Sequence, residues 1–347
     1  MNLSKKKSPL VLAHEKACSS ALGSVSDGSL SSKVSISDND CTMILSNLQE
    51  EVSTKFEPKK KSSEDLAGVY REMALLGRSA RVNDCGSFLE YHVTAQEKKL
   101  HIANFCKDRL CPMCNWRRSL KIFGQVSRVM DQLEKDGYCF LFLTLTVKNC
   151  SAADLPKIVQ MLFDGWRKMY HKKGVFQKRV AGTFRSLEVT RNKETKDFHP
   201  HFHVILAVRP EYFSGRNYMT QAAWSELWRS CCDLDYNPII DIRKIKPGSK
   251  GLAGAVAEVS KYAVKATDFL QGSMDDKVSY VAAFLSALTQ RRLCAFTGCF
   301  MKVRKQLALD DVEDGDLVHV DGDELREDVA YMIVRYSWRS GVYVREV

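Results

Sequence analysis

Three histidines alternate with other residues in the segment HPHFHVILAV, and this segment constrains the fold more than any other part of the chain. Successive side chains of a β-strand point to opposite faces of its sheet. His199, His201 and His203 would therefore share one face, whereas Phe202 and Val204 would share the other with further apolar residues. One face would pack into a hydrophobic core while the other carries imidazoles, so the segment predicts a half-buried strand.

The preceding segment, RSLEVTRN, alternates in the same way and predicts the partner strand of a β-hairpin. If the turn is centred in the middle of the connection at 192–197, Glu188 lies directly opposite His201, with Cβ atoms about 5 Å apart. Two imidazoles and a carboxylate would then converge, a set that binds a divalent ion and leaves coordination positions open. We predict a catalytic metal site of His201, His203 and Glu188, with His199 either a further ligand or a neighbour. A polar strand face without metal is the alternative.

Apolar periodicity along the rest of the chain indicates alternating helices and strands. Helices are predicted at 116–137, 155–170, 220–231 and 252–270, and strands at 138–149, 183–190 and 198–208. This alternation with hairpin-connected strands is typical of an α+β fold with a largely antiparallel sheet. We divide the chain into a flexible Ser/Lys-rich N-terminal arm (1–64), a cysteine-rich module (65–128), a central domain (129–305) and an acidic C-terminal extension that ends in strands (306–347). The arm has one short apolar cluster, at 41–48, where a transient helix could form.

A cluster of cysteines occurs in the segment FCKDRLCPMCNWRR. Cys106, Cys111 and Cys114 supply three close thiolates, which suit a tetrahedral Zn²⁺ ion, and the fourth ligand would be Cys85 or His101. Buried free thiols are the alternative. The chain has no long apolar run and no clear signal peptide, so we interpret it as cytosolic, where cysteines stay reduced or bind metals. We therefore predict a structural zinc site.

The formal net charge of +10 indicates an anionic partner, with nucleic acid as the first candidate and an anionic membrane as the second. Basic residues follow the cysteine cluster and precede the segment 252–270, where they would contact DNA phosphates. The predicted DNA contacts are Arg117, Arg118, Arg243, Lys244, Lys246 and Lys250. Each basic stretch is also compatible with a solvated loop. The acidic stretch at 310–328 would face away from DNA or mimic phosphate.

The segment GLAGAVAEVSKYAVKATDFLQG is predicted as one amphipathic helix. Its polar face would bring together Glu258, Tyr262 and Lys265, with the first two one turn apart. A solvated helix face is the simplest interpretation of these residue types. A tyrosine becomes a competent nucleophile where a cation stabilises its phenolate or withdraws charge from its target. Beside the predicted metal site, Tyr262 is therefore a candidate nucleophile and Lys265 its cationic neighbour.

Three segments resemble, in order, the motifs of the replication initiators of small bacterial rolling-circle plasmids: FLTLTVKN, HPHFHV and EVSKYAVKATDF. These initiators form a single-tyrosine branch of the HUH endonuclease superfamily, in which HUH denotes His-hydrophobic-His, here His201-Phe202-His203. The resemblance covers about residues 80 to 305. It implies a five-stranded antiparallel sheet flanked by helices, a Mg²⁺ or Mn²⁺ ion held by the two histidines, and an endonuclease domain at 129–305.

The resemblance also implies a reaction. Tyr262 would attack a phosphodiester of single-stranded DNA at the double-strand origin of a bacterial plasmid, leaving a 5′-phosphotyrosine link and a 3′-OH that primes synthesis. Glu258 would activate water for termination, and a host helicase and DNA polymerase would be partners. The alternatives are a non-enzymatic DNA-binding regulator, a mobilisation relaxase or transposase of the same superfamily, and a histidine-triad nucleotide hydrolase.

Overall fold

The structure is a computed structural model and describes residues 38–94, 96–261, 265–320 and 331–346. The strands are β1 (Phe88–Val93), β2 (Lys98–Ala103), β3 (Cys139–Thr146), β4 (Val180–Arg191), β5 (Phe198–Val208), β6 (Ile240–Lys244), β7 (Cys294–Thr297), β8 (Met332–Arg339) and β9 (Val342–Arg345). The α-helices are α1 (Asp38–Glu51), α2 (Glu57–Glu72), α3 (Leu76–Asp84), α4 (Pro112–Lys135), α5 (Leu155–Tyr170), α6 (Gln221–Cys231), α7 (Ser249–Val259), α8 (Ala266–Phe269), α9 (Met274–Leu288) and α10 (Gly298–Gln306). Among the described helices, none combines the length and apolar composition needed to cross a lipid bilayer.

The central sheet has five strands in the order β6-β3-β5-β4-β7, and each neighbouring pair is antiparallel. Its apolar face is covered by α5, where the Phe163 ring packs edge-on against Phe202 at 5.2 Å between centroids. The other face carries the histidines and is approached by α7, whose Glu258 reaches His203. The α+β fold with a five-stranded antiparallel sheet flanked by helices is therefore confirmed.

A second sheet joins the region of the cysteines to the C-terminal strands. It has four antiparallel strands in the order β2-β1-β8-β9, so the C-terminal strands pair directly with the strand that follows α3. The cysteine-rich module and the C-terminal extension, which the sequence analysis separates, share this sheet. Pairing between residues about 240 positions apart leaves no local pattern in a sequence, because strand propensity is read over short windows.

The flexible arm predicted for 1–64 is wrong for residues 38–64. These residues form α1, a π-helical segment (Val52–Phe56) and the start of α2. They bury Leu45, Leu48 and Val52, and the Phe56 ring packs edge-on against Trp116 at 4.8 Å. These apolar residues recur every three or four positions, which is a helical period that the surrounding serines and lysines obscure. Residues 1–37 lie outside the described part of the chain.

The single helix predicted for 252–270 is also wrong. Helix α7 ends at Val259, and α8 begins only at Ala266. At the end of α7, the Ser260 hydroxyl donates to the Val256 carbonyl at 2.6 Å, a local bond that competes with helix propagation. The sequence analysis places Glu258 and Tyr262 one turn apart on a single helix. Because α7 ends before Tyr262, that helix does not connect the two residues.

Candidate metal centres and DNA-facing surface

Three donor atoms converge on the polar face of the central sheet. The β4–β5 register pairs Glu188 with His201, which confirms the predicted hairpin. The Nε2 atoms of His201 and His203 are 3.1 Å apart, and the Oε2 atom of Glu188 lies 3.0 Å from His203 Nε2 and 3.4 Å from His201 Nε2. All three residues are buried, with exposed fractions of 4% to 7%. The sheet thus presents two imidazoles and a carboxylate at one point.

The imidazole rings are oriented by bonds through their other nitrogen. His201 Nδ1 lies 3.0 Å from the carbonyl oxygen of His199, and His203 Nδ1 lies 3.3 Å from the hydroxyl of Thr144. When Nδ1–H donates to the carbonyl, the proton-free Nε2 of His201 faces the centre of the cluster, which is the form that binds a metal. Thr144 is the residue of β3 that pairs with His203, so the neighbouring strand supplies this support.

The donor set fits a divalent ion. Donors on adjacent corners of an octahedron are about 3 Å apart when each lies about 2.1 Å from the metal. The three observed separations match one such face, and a set of two histidines and one carboxylate leaves the opposite positions for water or a substrate oxygen. These residues could therefore hold a metal ion and present it to a ligand.

Positive charge surrounds the buried carboxylate. Burial by itself would raise the pKa of Glu188. Without a metal, hydrogen bonds donated by protonated Nε2 atoms of His201 and His203, together with the charge of Lys265, outweigh burial and hold the pKa well below its usual value. The Lys265 Nζ atom lies 3.2 Å from Glu188 Oε1, while half of its side chain stays exposed. Glu188 is therefore anionic over the whole physiological range, as a metal ligand must be.

Two further predicted residues border this cluster. The Oε1 atom of Glu258 lies 3.7 Å from His203 Nε2, and its Oε2 atom pairs with Lys261 Nζ at 2.6 Å. The His199 ring instead bonds through Nδ1 to the Asn149 amide oxygen at 2.8 Å, so it lies beside the converging donors rather than among them. Tyr262 lies outside the described residues.

Comparison with known proteins decides the family. A family model described as "Replication protein" matches residues 97–344, which is most of the chain and includes this cluster. The chain belongs to the replication protein family. It is 38% identical over 285 residues to "Protein rep" of Bacillus amyloliquefaciens, an alignment that covers 76% of this chain and 83% of that protein.

Further relatives agree with this assignment. The replication protein is 35% identical over 296 residues to "Protein rep" of Streptococcus pneumoniae serotype 2 (83% of this chain, 91% of the relative). It is 33% identical over 236 residues to a "Replication protein" of Staphylococcus aureus (66% and 98%). No solved structure matches this chain. The resemblance to plasmid replication initiators inferred from the three motifs is confirmed at the level of the family.

The replication protein also groups four cysteines. Cys85 follows the C-terminus of α3, Cys106 and Cys111 lie in the loop after β2, and Cys114 lies in the first turn of α4. Their sulfur atoms are 3.5 Å (85–114), 3.6 Å (85–111) and 3.7 Å (106–114) apart. Four thiolates bound to one tetrahedral Zn²⁺ are about 3.8 Å apart, so the spacing fits zinc. Of the two candidates for the fourth ligand, the structure places Cys85 in this group and His101 elsewhere.

Backbone and side-chain donors support the cysteine sulfurs. The amide of Cys106 donates to Cys85 Sγ at 3.4 Å, and the amide of Lys107 donates to Cys114 Sγ at 3.2 Å. The Ser63 hydroxyl lies 3.4 Å from Cys111 Sγ, a contact that comes from the region predicted as a flexible arm. Such donors stabilise thiolates, which is the form that binds a metal.

The predicted DNA contacts at Arg117 and Arg118 are wrong, because both guanidinium groups are buried, with exposed fractions of 4% and 2%. Arg118 donates to the backbone carbonyls of Lys107, Asp108 and Glu313, and Arg117 donates to two carbonyls at 317–318. They fasten the acidic C-terminal segment to α4. The four other predicted contacts are exposed on β6 and at the start of α7, at Arg243, Lys244, Lys246 and Lys250.

Several supporting residues were not identified from the sequence. Thr144 and Asn149 lie in the segment FLTLTVKN and bond to His203 and His199, respectively. The strand alternation of FLTLTVKN could have placed Thr144 beside the histidines, since it is two residues from Thr146 and Phe142 on the same face. No sequence pattern indicated the ion pairs Lys261–Glu258 and Lys265–Glu188, because both depend on the residue at which α7 ends.

Proposed function

We propose that this replication protein is a metal-dependent DNA nickase and strand transferase that starts rolling-circle replication of a plasmid. The observation that carries the proposal is the convergence of His201, His203 and Glu188 within 3.4 Å of one another on a buried sheet face. We assign Mg²⁺ or Mn²⁺ to this site because the resemblance to the rolling-circle initiators implies it, and Zn²⁺ to the four cysteines because thiolates favour that ion.

The nucleophile is Tyr262. Support comes from the residues on either side of it in the chain. Lys261 pairs with Glu258, which itself lies 3.7 Å from His203, and Lys265 pairs with Glu188. Lys265 thus contacts the donor cluster directly, and Lys261 is linked to it through Glu258. Tyr262 follows Lys261 directly in the sequence, which is the support that the chain gives to this assignment.

The cleavage step exchanges one phosphodiester oxygen for another. The bound divalent ion would polarise a non-bridging oxygen of the scissile phosphate. The Tyr262 oxygen, having lost its proton to water, forms a bond to phosphorus, and the bond from phosphorus to the 3′ oxygen breaks. That oxygen takes up a proton and becomes a free 3′-OH. Lys265 would stabilise the phenolate and the charge that develops on the phosphate.

Rejoining runs the same exchange backwards, with a 3′-OH as the attacking group and Tyr262 as the leaving group. The phosphotyrosine bond replaces the phosphodiester bond one for one, so no other energy source is required. For termination, Glu258 would accept a proton from water, which attacks the phosphotyrosine and releases the strand. The Oε1 atom of Glu258 faces the donor cluster at 3.7 Å, as this role requires.

The DNA would approach along the β6 edge of the central sheet. Arg243 is exposed and pairs across the sheet with Phe142, and its guanidinium lies 5.0 Å from that ring. Phe142 is two residues from Thr144, so Arg243 lies on the same face as His203. Lys246 and Lys250 are exposed between β6 and the first turn of α7, whereas Lys244 is exposed on the opposite face of β6, with its Nζ atom 4.3 Å from the centre of the Phe213 ring. This basic edge, defined as Arg243, Lys244, Lys246 and Lys250, would bind the phosphates of single-stranded origin DNA.

The products of cleavage define the partners. A free 3′-OH on a nicked duplex is a substrate for a DNA polymerase, and the strand ahead of it must be unwound by a helicase. We therefore propose that host enzymes of these two classes act on the complex that this protein forms at the origin.

The experiment is covalent capture on denaturing gels. Single-stranded oligonucleotides from the origin of the replicon would be labelled at either end and incubated with Mn²⁺ or EDTA. The 3′-end label should move to the protein band and the 5′-end label should appear in a shorter free fragment, because the 5′ phosphate stays on the tyrosine.

Tyr262→Phe and His201→Ala should abolish the adduct. The matched controls are Tyr218→Phe and His171→Ala, which change exposed residues of the same types and should leave the adduct unaffected. Tight DNA binding without any adduct, in Mn²⁺ and on every origin oligonucleotide, would instead indicate a non-enzymatic regulator.

A further inference from the structure

The small sheet carries a second group of metal-binding side chains, separate from the two candidate centres above. Glu90 and His92 lie on β1 and His101 lies on β2. One donor atom from each lies within 4.8 Å of the others. None of the three contributes to the proposed nickase chemistry, which takes place on the central sheet.

A β-bulge brings these residues together. Glu90 and His92 are two positions apart on one strand and share a face of the sheet. Glu90 pairs with Ile102 and the next residue of β1 pairs with Leu100, so His101 is an extra residue in β2. Bulges re-aim side chains in this way. The His101 ring lies against that of His92, with 3.7 Å between centroids.

The carboxylate and the inner imidazole are held in place by neighbours. Arg335 on β8 donates through Nε to Glu90 Oε2 at 2.7 Å, which leaves Oε1 facing His92 Nε2 at 3.6 Å. The Tyr331 ring stacks on the other side of His92 at 4.0 Å. Glu90 and His92 are buried, whereas His101 is exposed and offers an ion a route from solvent.

We propose that Glu90, His92 and His101 form a further metal site, which binds a divalent transition ion of the zinc class. Ligands of tetrahedral Zn²⁺ are about 3.4 Å apart, close to the 3.6 Å between the Glu90 and His92 donors. The third donor comes from the exposed residue, whose side chain is free to close the remaining distance. Two imidazoles and one carboxylate favour Zn²⁺, Co²⁺ or Ni²⁺ over Mg²⁺.

Binding would alter the aromatic stack. Imidazoles bound to one tetrahedral ion have ring centroids about 5 Å apart, so His101 would move outward from its contact with His92. The ion would join β1 to β2 directly and to β8 through Arg335. It would therefore fasten the N-terminal and C-terminal parts of the small sheet to each other.

The test counts bound zinc in the full chain. Protein stripped with EDTA would be reloaded with Zn²⁺, freed of loosely bound ions and measured by elemental analysis and native mass spectrometry. Wild type should hold one more Zn²⁺ per chain than His101→Ala and than the double variant with His92→Ala. Because His101 is exposed, its single substitution should fold normally, and circular dichroism would verify this.

The control is His171→Ala, another exposed histidine, which should retain the wild-type count. Equal zinc counts in wild type and both His101 variants would overturn the proposal. All variants keep the cysteine cluster and the central-sheet donors, so the difference between counts isolates this site. The zinc count does not depend on DNA cleavage, so its outcome is independent of the proposed nickase activity.

Discussion

Neutralising the basic edge should change the salt dependence of DNA binding by a calculable amount. Each phosphate contact adds about 0.7 to the slope of log affinity against log salt concentration for single-stranded DNA. Four exposed cations at Arg243, Lys244, Lys246 and Lys250 therefore add about 2.8. Between about 50 mM and about 200 mM salt, this slope difference corresponds to a factor of about 50. The figure is an upper value, because Arg243 Nε also lies 3.8 Å from Asp241.

The assay is fluorescence anisotropy with a labelled single-stranded origin oligonucleotide across that salt range. Tyr262→Phe protein in EDTA would serve as the background, so that binding is measured without cleavage. The quadruple alanine variant of the basic edge should have the shallower slope. A matched variant would remove four exposed lysines elsewhere, namely Lys61, Lys135, Lys302 and Lys305.

The comparison between the two quadruple variants decides the question, because both lose the same net charge. If the basic edge contacts phosphates, the slope of log affinity against log salt concentration should decrease far more in its variant than in the matched variant. Equal slopes in the two variants would mean that DNA responds to the overall charge of the protein, and the assigned path along β6 would be refuted.

Other predictions concern the metal sites and the core. Cys85→Ser should lower the intensity of the thiolate-to-metal absorption of the Co²⁺-loaded protein, because one of four thiolates is lost, whereas His101→Ala should keep it. A Cys85→Ser spectrum equal to that of wild type would remove Cys85 from the site. In EDTA, wild type should have a higher free energy of unfolding than Glu188→Gln above about pH 4.3, the usual glutamate pKa. This difference should decline at lower pH, because folding lowers the pKa of Glu188 and its protonation therefore favours the unfolded state. Urea titrations at several pH values that show no such decline would contradict this. Phe56→Ala should lower the free energy of unfolding by about 3–5 kcal/mol; a urea-unfolding loss below about 1 kcal/mol would mean that α1 and the π-helical segment are not part of the core.

The part of the candidate site that depends on the alternation of side chains along β4 and β5 was predictable from the sequence. Strands β4 and β5 are adjacent in the chain and joined by a short turn, so their register followed from the turn centre and placed Glu188 opposite His201. The positions of Glu258 and Lys265 depend instead on a helix break between Val259 and Ala266. Lys, Ala and Val in that stretch are all compatible with helix, so propensity alone predicted continuity.

Long-range packing accounts for the other differences. Arg117 and Arg118 follow the cysteine cluster and have the composition of a phosphate-binding patch. Their burial results from the acidic segment folding back onto α4, where carbonyls at 313 and 317–318 accept their bonds. The choice of Cys85 over His101 depends likewise on β1 and β2, which carry the chain away from the cysteines and turn His101 toward His92. Neither arrangement leaves a periodic signal in the sequence.

The register between β4 and β5 and the proposed chemistry depend on the same segment of each strand. Leu187 on β4 and Phe202 on β5 pair with each other on the apolar face, one position from Glu188 and His201, which pair on the opposite face. A shift of one residue along either strand would move the donors into the core and the apolar residues out of it. The hydrophobic free energy that excludes such a shift also holds two imidazoles and a carboxylate within 3.4 Å of one another before any ion arrives. The apolar face would therefore preorganise the proposed metal site on the central strands of the sheet.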